Sequence, residues 1–176
     1  MKLTIAHLQE CLTYDPVTGV FIWKTRPVEH FVTVKASLTW NARFAGRVAG
    51  GIDPDEGYRR IQIDGVKYKE HRLAFLFQGR PMPRNVDHEN GRRDDNRWVN
   101  LRPATRSQNA HNRALNKNSS TKVKGVTWVP SRQQYYAQIQ VDKKRKNLGF
   151  HDTLESAERA VKAAREALHQ EFHNHG

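Results

Sequence analysis

Val86-Asp87-His88-Glu89-Asn90-Gly91, then Asn100-Leu101-Arg102, then Thr105-Arg106-Ser107-Gln108-Asn109-Ala110-His111-Asn112: these runs decide how the chain reads. Thr105 and Gln108 stand three apart, the spacing of a helix-opening capping box. They predict a short helix with Asn109 in its first turns, following a strand that ends near Ala104. Asp87 and His88 are placed on a strand or its edge. Adjacent strand residues point to opposite faces, so Asp87 can turn toward the helix and a cation while His88 faces the neighbouring groove. Taken singly, these residues have plainer readings. Asn90-Gly91 and Arg92-Arg93-Asp94-Asp95 suit a solvated loop, and Asn100 and Asn109 suit a turn and a cap. Their combination in one basic chain is what points to chemistry. Phosphodiester hydrolysis needs a base that is neutral near pH 7 and a counter-charge for the phosphorane. A histidine with a pKa near about 6.5 suits the first task and a hard dication the second.

The surrounding sequence frames this segment. Tyr58-Arg59-Arg60-Ile61-Gln62-Ile63 and Val66-Lys67-Tyr68 flank Asp64-Gly65, a dipeptide suited to a two-residue hairpin turn. Leu73, Leu76 and Phe77 then recur at helical spacing until Gly79-Arg80-Pro81, with His71 and Arg72 at the start of that helix. His71 reads as structural or phosphate-facing. Upstream, 3–12 suits a short helix and 20–23 an apolar strand after the turn at Asp15-Pro16-Val17-Thr18-Gly19. Residues 26–51 show no clean period. Downstream, the polar run Asn116-Lys117-Asn118-Ser119-Ser120-Thr121-Lys122 reads as a linker. Strands follow at 125–129, 134–141 and 147–150, with 142–145 as the second turn. A last helix is capped by Asp152 with Glu155 reaching back, its stripe being Leu154, Ala157, Val161, Ala164 and Leu168.

The 176 residues carry 30 Lys plus Arg against 18 Asp plus Glu, a formal charge of +12. A polyanion is therefore the first partner to test. Arg59, Arg72, Arg92, Arg97, Arg113, Lys124 and Lys144 are spread along the chain, unlike the single basic face of a membrane-surface helix. An apolar content of 37% argues for modest lobes and against a large one-core enzyme. The single cysteine, Cys11, excludes an internal disulfide and a four-thiolate zinc knot, and fits a reducing compartment. No run approaches a membrane span, and the start meets His7 before a signal-peptide core develops, so the chain reads as unexported.

From about His71 to Arg113 the chain resembles the HNH endonucleases, in the phage and intron-associated homing variety with an Asp-His…Asn…Asn pattern. The paired Asp87-His88, Asn100-Leu101-Arg102 and the Asn109…Asn112 pair keep that order and approximate spacing. The resemblance implies a β-hairpin and a helix gripping one divalent cation. By position it makes Asp87 and Asn109 the metal ligands, His88 the general base, and Asn100 a loop-bracing residue whose amide orients the base. Asn109 stands where many relatives have histidine, which favours Mg²⁺ or Mn²⁺ over zinc. Asn112 and then His111 are the competing ligands.

Residues 120–172 look like an AP2-type DNA-binding domain. Gly125-Val126-Thr127-Trp128 opens it, Tyr136-Ala137-Gln138-Ile139 and Leu148-Gly149-Phe150 follow, and an alanine-rich helix closes it. Alternation sets Tyr135, Ala137, Ile139 and Val141 under that helix and leaves Tyr136, Gln138 and Gln140 open. Glutamine can bridge an adenine edge while Lys and Arg around the turns, Lys143 among them, reach phosphates. Thr127 and Tyr136 stand where many relatives place arginine, and Trp128 reads as packing under the helix. The expected fold is α+β, a ββα-metal lobe plus a small three-stranded antiparallel sheet packed on one helix. The expected divisions are an N-terminal packing region at 1–56, a nuclease domain at 57–115, a linker at 116–123 and a DNA-binding domain at 124–176. The expected DNA contacts are Arg92, Arg93, Arg102 and Arg113, with Lys124, Thr127, Arg132, Tyr136, Gln138, Lys144 and Arg145. Together these imply a site-specific homing endonuclease on duplex DNA, a monomeric nickase being the simplest form. It would act in a bacterial cytoplasm, with no membrane and no obligate protein partner. A non-cleaving DNA-binding regulator and an RNA binder are the rivals.

Overall fold

The computed structural model describes residues 3–111, 115, 118–141 and 144–169. Its architecture is mixed α and β with small antiparallel sheets, divided into two compact units, 1–103 and 104–176. Among the described residues no helix is long and apolar enough to cross a membrane.

In the first unit, Thr4 accepts from the His7 backbone N–H and so starts helix α1, Ile5–Cys11. Strands β1, Leu12–Tyr14, and β2, Phe21–Trp23, pair antiparallel with Leu12 opposite Trp23. The stretch that lacks a period in the sequence contains helix α2, Val34–Phe44, capped by Thr33 through the Ala36 N–H at 3.1 Å. Its pattern is blurred: Trp40 and Phe44 pack against the core, but Ser37 is buried on that face while Val34 and Leu38 face solvent.

A short strand β3, Gly51–Ile52, flanks the hairpin of β4, Arg59–Ile63, and β5, Val66–Lys69. Asp64 and Gly65 take φ of 49° and 80° at its tip, the double left-handed turn that an Asp-Gly pair favours. Helix α3, Glu70–Phe77, follows directly, burying Glu70, His71, Leu73, Ala74 and Phe75. Strands β6, Val86–His88, and β7, Leu101–Pro103, then pair antiparallel with Asp87 opposite Arg102 and His88 opposite Leu101.

Leu8, Leu12, Phe21, Trp23, Ile61, Ile63, Leu73, Phe75, Val86 and Leu101 share one core. This core draws residues from both sides of position 56. The opening layer of α1, β1 and β2 holds the loop between β6 and β7. The Tyr14 hydroxyl donates to the Asn96 carbonyl at 2.8 Å, and the Trp98 N–H donates to the Pro16 carbonyl at 2.9 Å. Gly19, at φ 75°, lies so close that a Cβ there would stand 2.4 Å from the backbone of Asn96 and Arg97.

In the second unit, helix α4, Arg106–His111, opens on a reciprocal capping box. The Gln108 N–H donates to Thr105 Oγ1 at 3.2 Å, and the Thr105 N–H donates to Gln108 Oε1 at 2.8 Å. Strands β8, Val126–Val129, β9, Gln134–Val141, and β10, Lys144–His151, form a sheet in the order β10-β9-β8. Helix α5, Leu154–His169, covers one face over Val126, Ala137, Ala157 and Val161.

Four details differ from the sequence reading. Lys144 and Arg145 lie in β10, opposite Val141 and Gln140, and not in the turn, because the ladder continues to the hairpin tip. Thr153 and not Asp152 starts α5, its hydroxyl accepting from the Ser156 N–H at 3.2 Å, while Asp152 accepts from Gln134 Nε2. On α5 Arg165 is buried and Leu168 is exposed, since Arg165 can donate to the Lys124 carbonyl. Trp128 is 38% exposed beside Tyr135 and lies outside the cluster under the helix, although alternation puts it on the same face as the buried Val126.

Candidate active site

Strand β6 is buried at all three residues, yet two of them are ionisable. Each is matched by polar partners, as burial demands. Asp87 accepts at Oδ2 from Arg102, whose Nε and terminal nitrogen both stand at 2.9 Å, so cross-strand register itself pairs the two charges. His88 Nε2 lies 3.2 Å from Asn96 Oδ1, Asn96 Nδ2 donates to Glu70 Oε2 at 3.1 Å, and Arg59 Nε donates to the same oxygen at 3.0 Å. Because the Asn96 amide gives its N–H to Glu70, its oxygen is what faces the imidazole. Nε2 of His88 therefore carries the proton, and the lone pair belongs to Nδ1.

The ring stack around His88 excludes water. Tyr58 and His71 lie with centroids 5.0 Å apart, His71 and His88 also 5.0 Å apart, and Tyr58 and His88 5.9 Å apart. Burial pushes the His88 imidazole below its ordinary value, even though Asn96 and nearby Asp87 pull the other way. Burial and then the neighbouring His88 push His71 down to about 3. Burial raises the Glu70 carboxyl against the opposing pull of Arg59. His71 thus enters as a neutral packing group, in line with its structural reading.

These shifts give a pH dependence whose sign can be worked out. The unfolded chain takes up protons on His71 and His88 near pH 6.5, and the folded chain refuses them. Stability is therefore full above about pH 6.5 and falls as pH drops, for His71 down to about 3. Each group contributes a slope of at most about 1.4 kcal/mol per pH unit. Denaturant titrations at stepped pH should show this slope, and His71→Phe should flatten it. An unchanged slope in that variant would assign the acid sensitivity elsewhere.

Asn100 braces the loop: its Oδ1 accepts from the Asn90 N–H at 2.9 Å, and its Nδ2 donates to the Asp95 carbonyl at 2.8 Å. The amide that meets the imidazole is that of Asn96. Arg92 is exposed, Arg93 donates to the Glu56 carbonyl and lies over Tyr58, and Arg102 is engaged by Asp87. Asn109 is carried by α4 of the second unit, where its N–H donates to the Thr105 carbonyl. Asn112, Arg113 and Lys143 lie outside the described residues.

On the open face of the second unit, register sets Thr127, Tyr136 and Phe150 in one cross-strand row, with Gln138 opposite Asn147. Arg132 stacks over Phe150, with Cζ 4.4 Å from the ring centroid. Thr127, Lys144 and Arg145 are exposed, while Tyr136, Gln138 and Lys124 are half-buried. Burial and then Arg165 draw the Lys124 ammonium down to about 8.

Asn96, Glu70, Arg59 and Tyr58 complete the surroundings of His88; the sequence reading names neither Asn96 nor Glu70, and has Tyr58 and Arg59 only as hairpin and basic residues. Each is an ordinary loop, helix or strand residue until the fold brings it to the imidazole. No curated protein and no solved structure matches the chain. A family model described as HNH endonuclease matches residues 68–111. That segment takes in His71, Asp87, His88, Asn100 and Asn109, and its similarity to HNH endonucleases supports a nuclease acting on DNA.

Proposed function

We propose that this chain is a metal-dependent endonuclease of the homing type that hydrolyses phosphodiester bonds of duplex DNA. The observation that carries the reading is His88, kept neutral by burial, with its proton fixed on Nε2 by Asn96 and its lone pair on Nδ1, next to the carboxylate of Asp87. A base of this kind accepts a proton from water near pH 7. Asp87 and Asn109 are the proposed ligands of one Mg²⁺ or Mn²⁺, and a carboxylate with an amide oxygen is a donor set suited to such hard ions. When bound, the ion supplies counter-charge to the phosphorane and the departing oxygen. Asn100 holds the loop that carries the base. Arg92, Arg93 and Arg113 offer charge to the backbone, and Arg102, paired with Asp87, balances that carboxylate. The three-stranded sheet of the second unit, an AP2-like reader in this proposal, anchors the duplex with Tyr136, Gln138, Thr127, Lys124, Arg132, Lys144 and Arg145. One active centre per chain makes a strand-nicking monomer the simplest form, and a mobile-element origin with action in a bacterial cytoplasm accords with it.

Incubating the full chain with supercoiled plasmid and with candidate target duplexes tests this directly. Nicked or linear product is expected with Mg²⁺ or Mn²⁺ and none with EDTA. Retardation of duplex DNA without any product under all three conditions would replace the enzyme with a non-cleaving DNA binder. Single-stranded RNA competing better than duplex DNA would replace both.

A further inference from the structure

A cluster of side chains able to ligate a metal lies in the first unit, among residues other than those around His88. Helix α1 supplies His7 and Cys11, one turn apart and therefore on one face. The turn Val28–His30 supplies His30, and the tip of the β4–β5 hairpin supplies Asp64. The Cys11 sulfur is 3.8 Å from His7 Nε2 and 3.7 Å from His30 Nδ1, and the three ligand atoms all lie within 4.8 Å of one another. Tetrahedral zinc with its usual bond lengths separates sulfur and nitrogen ligands by about 3.5 Å. Asp64 Oδ2 lies beside this group as the hydrogen-bond partner of His7 Nε2, at 2.5 Å.

The outer contacts favour an ion as well. Glu10 Oε2 stands 2.9 Å from His30 Nε2 and 3.8 Å from His7 Nδ1, so one carboxylate meets the back of both rings. Metal-bound histidines are ordinarily oriented this way. Arg26, packed against Phe31 and Trp40, donates from Nε to His30 Nδ1 and from its terminal nitrogen to Asp64 Oδ1. The lone pair of His30 therefore sits on Nδ1, facing the sulfur.

We propose that His7, Cys11 and His30 hold zinc or a similar transition-metal dication, with Asp64 moving off His7 Nε2 to complete a tetrahedral set, so that the ion staples α1, the 28–30 turn and the hairpin tip together. On binding, the Cys11 thiol loses one proton to solvent and its sulfur joins the ion, while His7 carries its ring proton on Nδ1, toward Glu10, instead of on Nε2, so that both imidazoles bind in their neutral form. The ion takes the His30 lone pair in place of the Arg26 Nε–H, and Arg26 keeps Asp64 Oδ1. Charges then balance, with the dication and Arg26 set against the thiolate, Asp64 and Glu10. The site stands apart from the hard-ion chemistry of Asp87.

Titration of the metal-free full chain with Co²⁺ tests the proposal. Cys11 is the chain's one cysteine, so a sulfur-to-cobalt charge-transfer band reports this site alone. The band is expected together with tetrahedral visible bands, saturating at one ion per chain and erased by Zn²⁺, which should also raise the melting temperature. Cys11→Ser should lose the band, and Glu10→Gln should weaken Co²⁺ binding about 10–100-fold. His30→Gln gives a second reading should Cys11→Ser fail to fold. No charge-transfer band at stoichiometric Co²⁺, or a band that survives in a His7→Gln/His30→Gln double variant, would overturn the proposal.

Discussion

His88→Ala is expected to lower the rate of plasmid cleavage by about 10²–10⁴-fold while leaving duplex affinity close to that of the parent. The magnitude is what general-base catalysis usually contributes. The separation of rate from binding follows because His88 is 5% exposed and offers duplex DNA almost no contact area. Removing the ring also leaves Asn96 Oδ1 without its partner and opens space beside His71. Cleavage must therefore be measured well below the melting temperature of the variant, with binding followed in parallel by gel retardation. A variant that binds and cuts like the parent would remove the imidazole from the mechanism. One that neither binds nor melts cooperatively would report a folding defect, and His88→Gln, which keeps a polar side chain toward Asn96, then carries the test.

The largest stability effect is expected at Glu70, which is fully buried. Its Oε2 receives Arg59 and Asn96 together, and Arg59 also donates to the Ala49 carbonyl at 3.1 Å. Glu70→Ala would strand a largely enclosed guanidinium and an amide N–H at once. Breaking a buried pair from one side costs about 3–5 kcal/mol, far more than the intact pair contributes over an apolar substitute. In a unit of this size that corresponds to a fall in melting temperature on the order of 10–30 °C. Glu70→Gln, which preserves shape and an acceptor oxygen, should lie between the two. Calorimetry decides the matter, and a Glu70→Ala protein that melts with the parent would show that Arg59 and Asn96 find other partners.

Much of the site's local frame can be read along the chain. The Asp64-Gly65 turn, the strand at Asp87-His88 and the Thr105 to Gln108 capping box rest on neighbours within a few residues, where backbone chemistry acts directly. The environment of His88 is another matter. Arg59 and Asn96 are 37 positions apart and meet only because Glu70, on a third element, accepts from both. No periodicity encodes that. Helix α2 escapes notice for a different reason, since Trp40 and Phe44 share their inward face with a buried serine while Val34 and Leu38 stay outside, which blurs the apolar stripe. The His7, Cys11 and His30 cluster is equally silent in sequence, because its third member arrives from a turn 19 residues past Cys11.

The tie between Tyr14 and Asn96 closes a ring of 82 residues. At ordinary synthesis rates of about 5–20 residues per second, the ribosome needs about 4–16 s to travel from one end of that ring to the other. During this interval the opening layer waits with its apolar side uncovered, and the loop between β6 and β7 does not yet exist. A chain released before residue 96 is made therefore lacks the carbonyl that Tyr14 holds, and its opening layer stays uncovered.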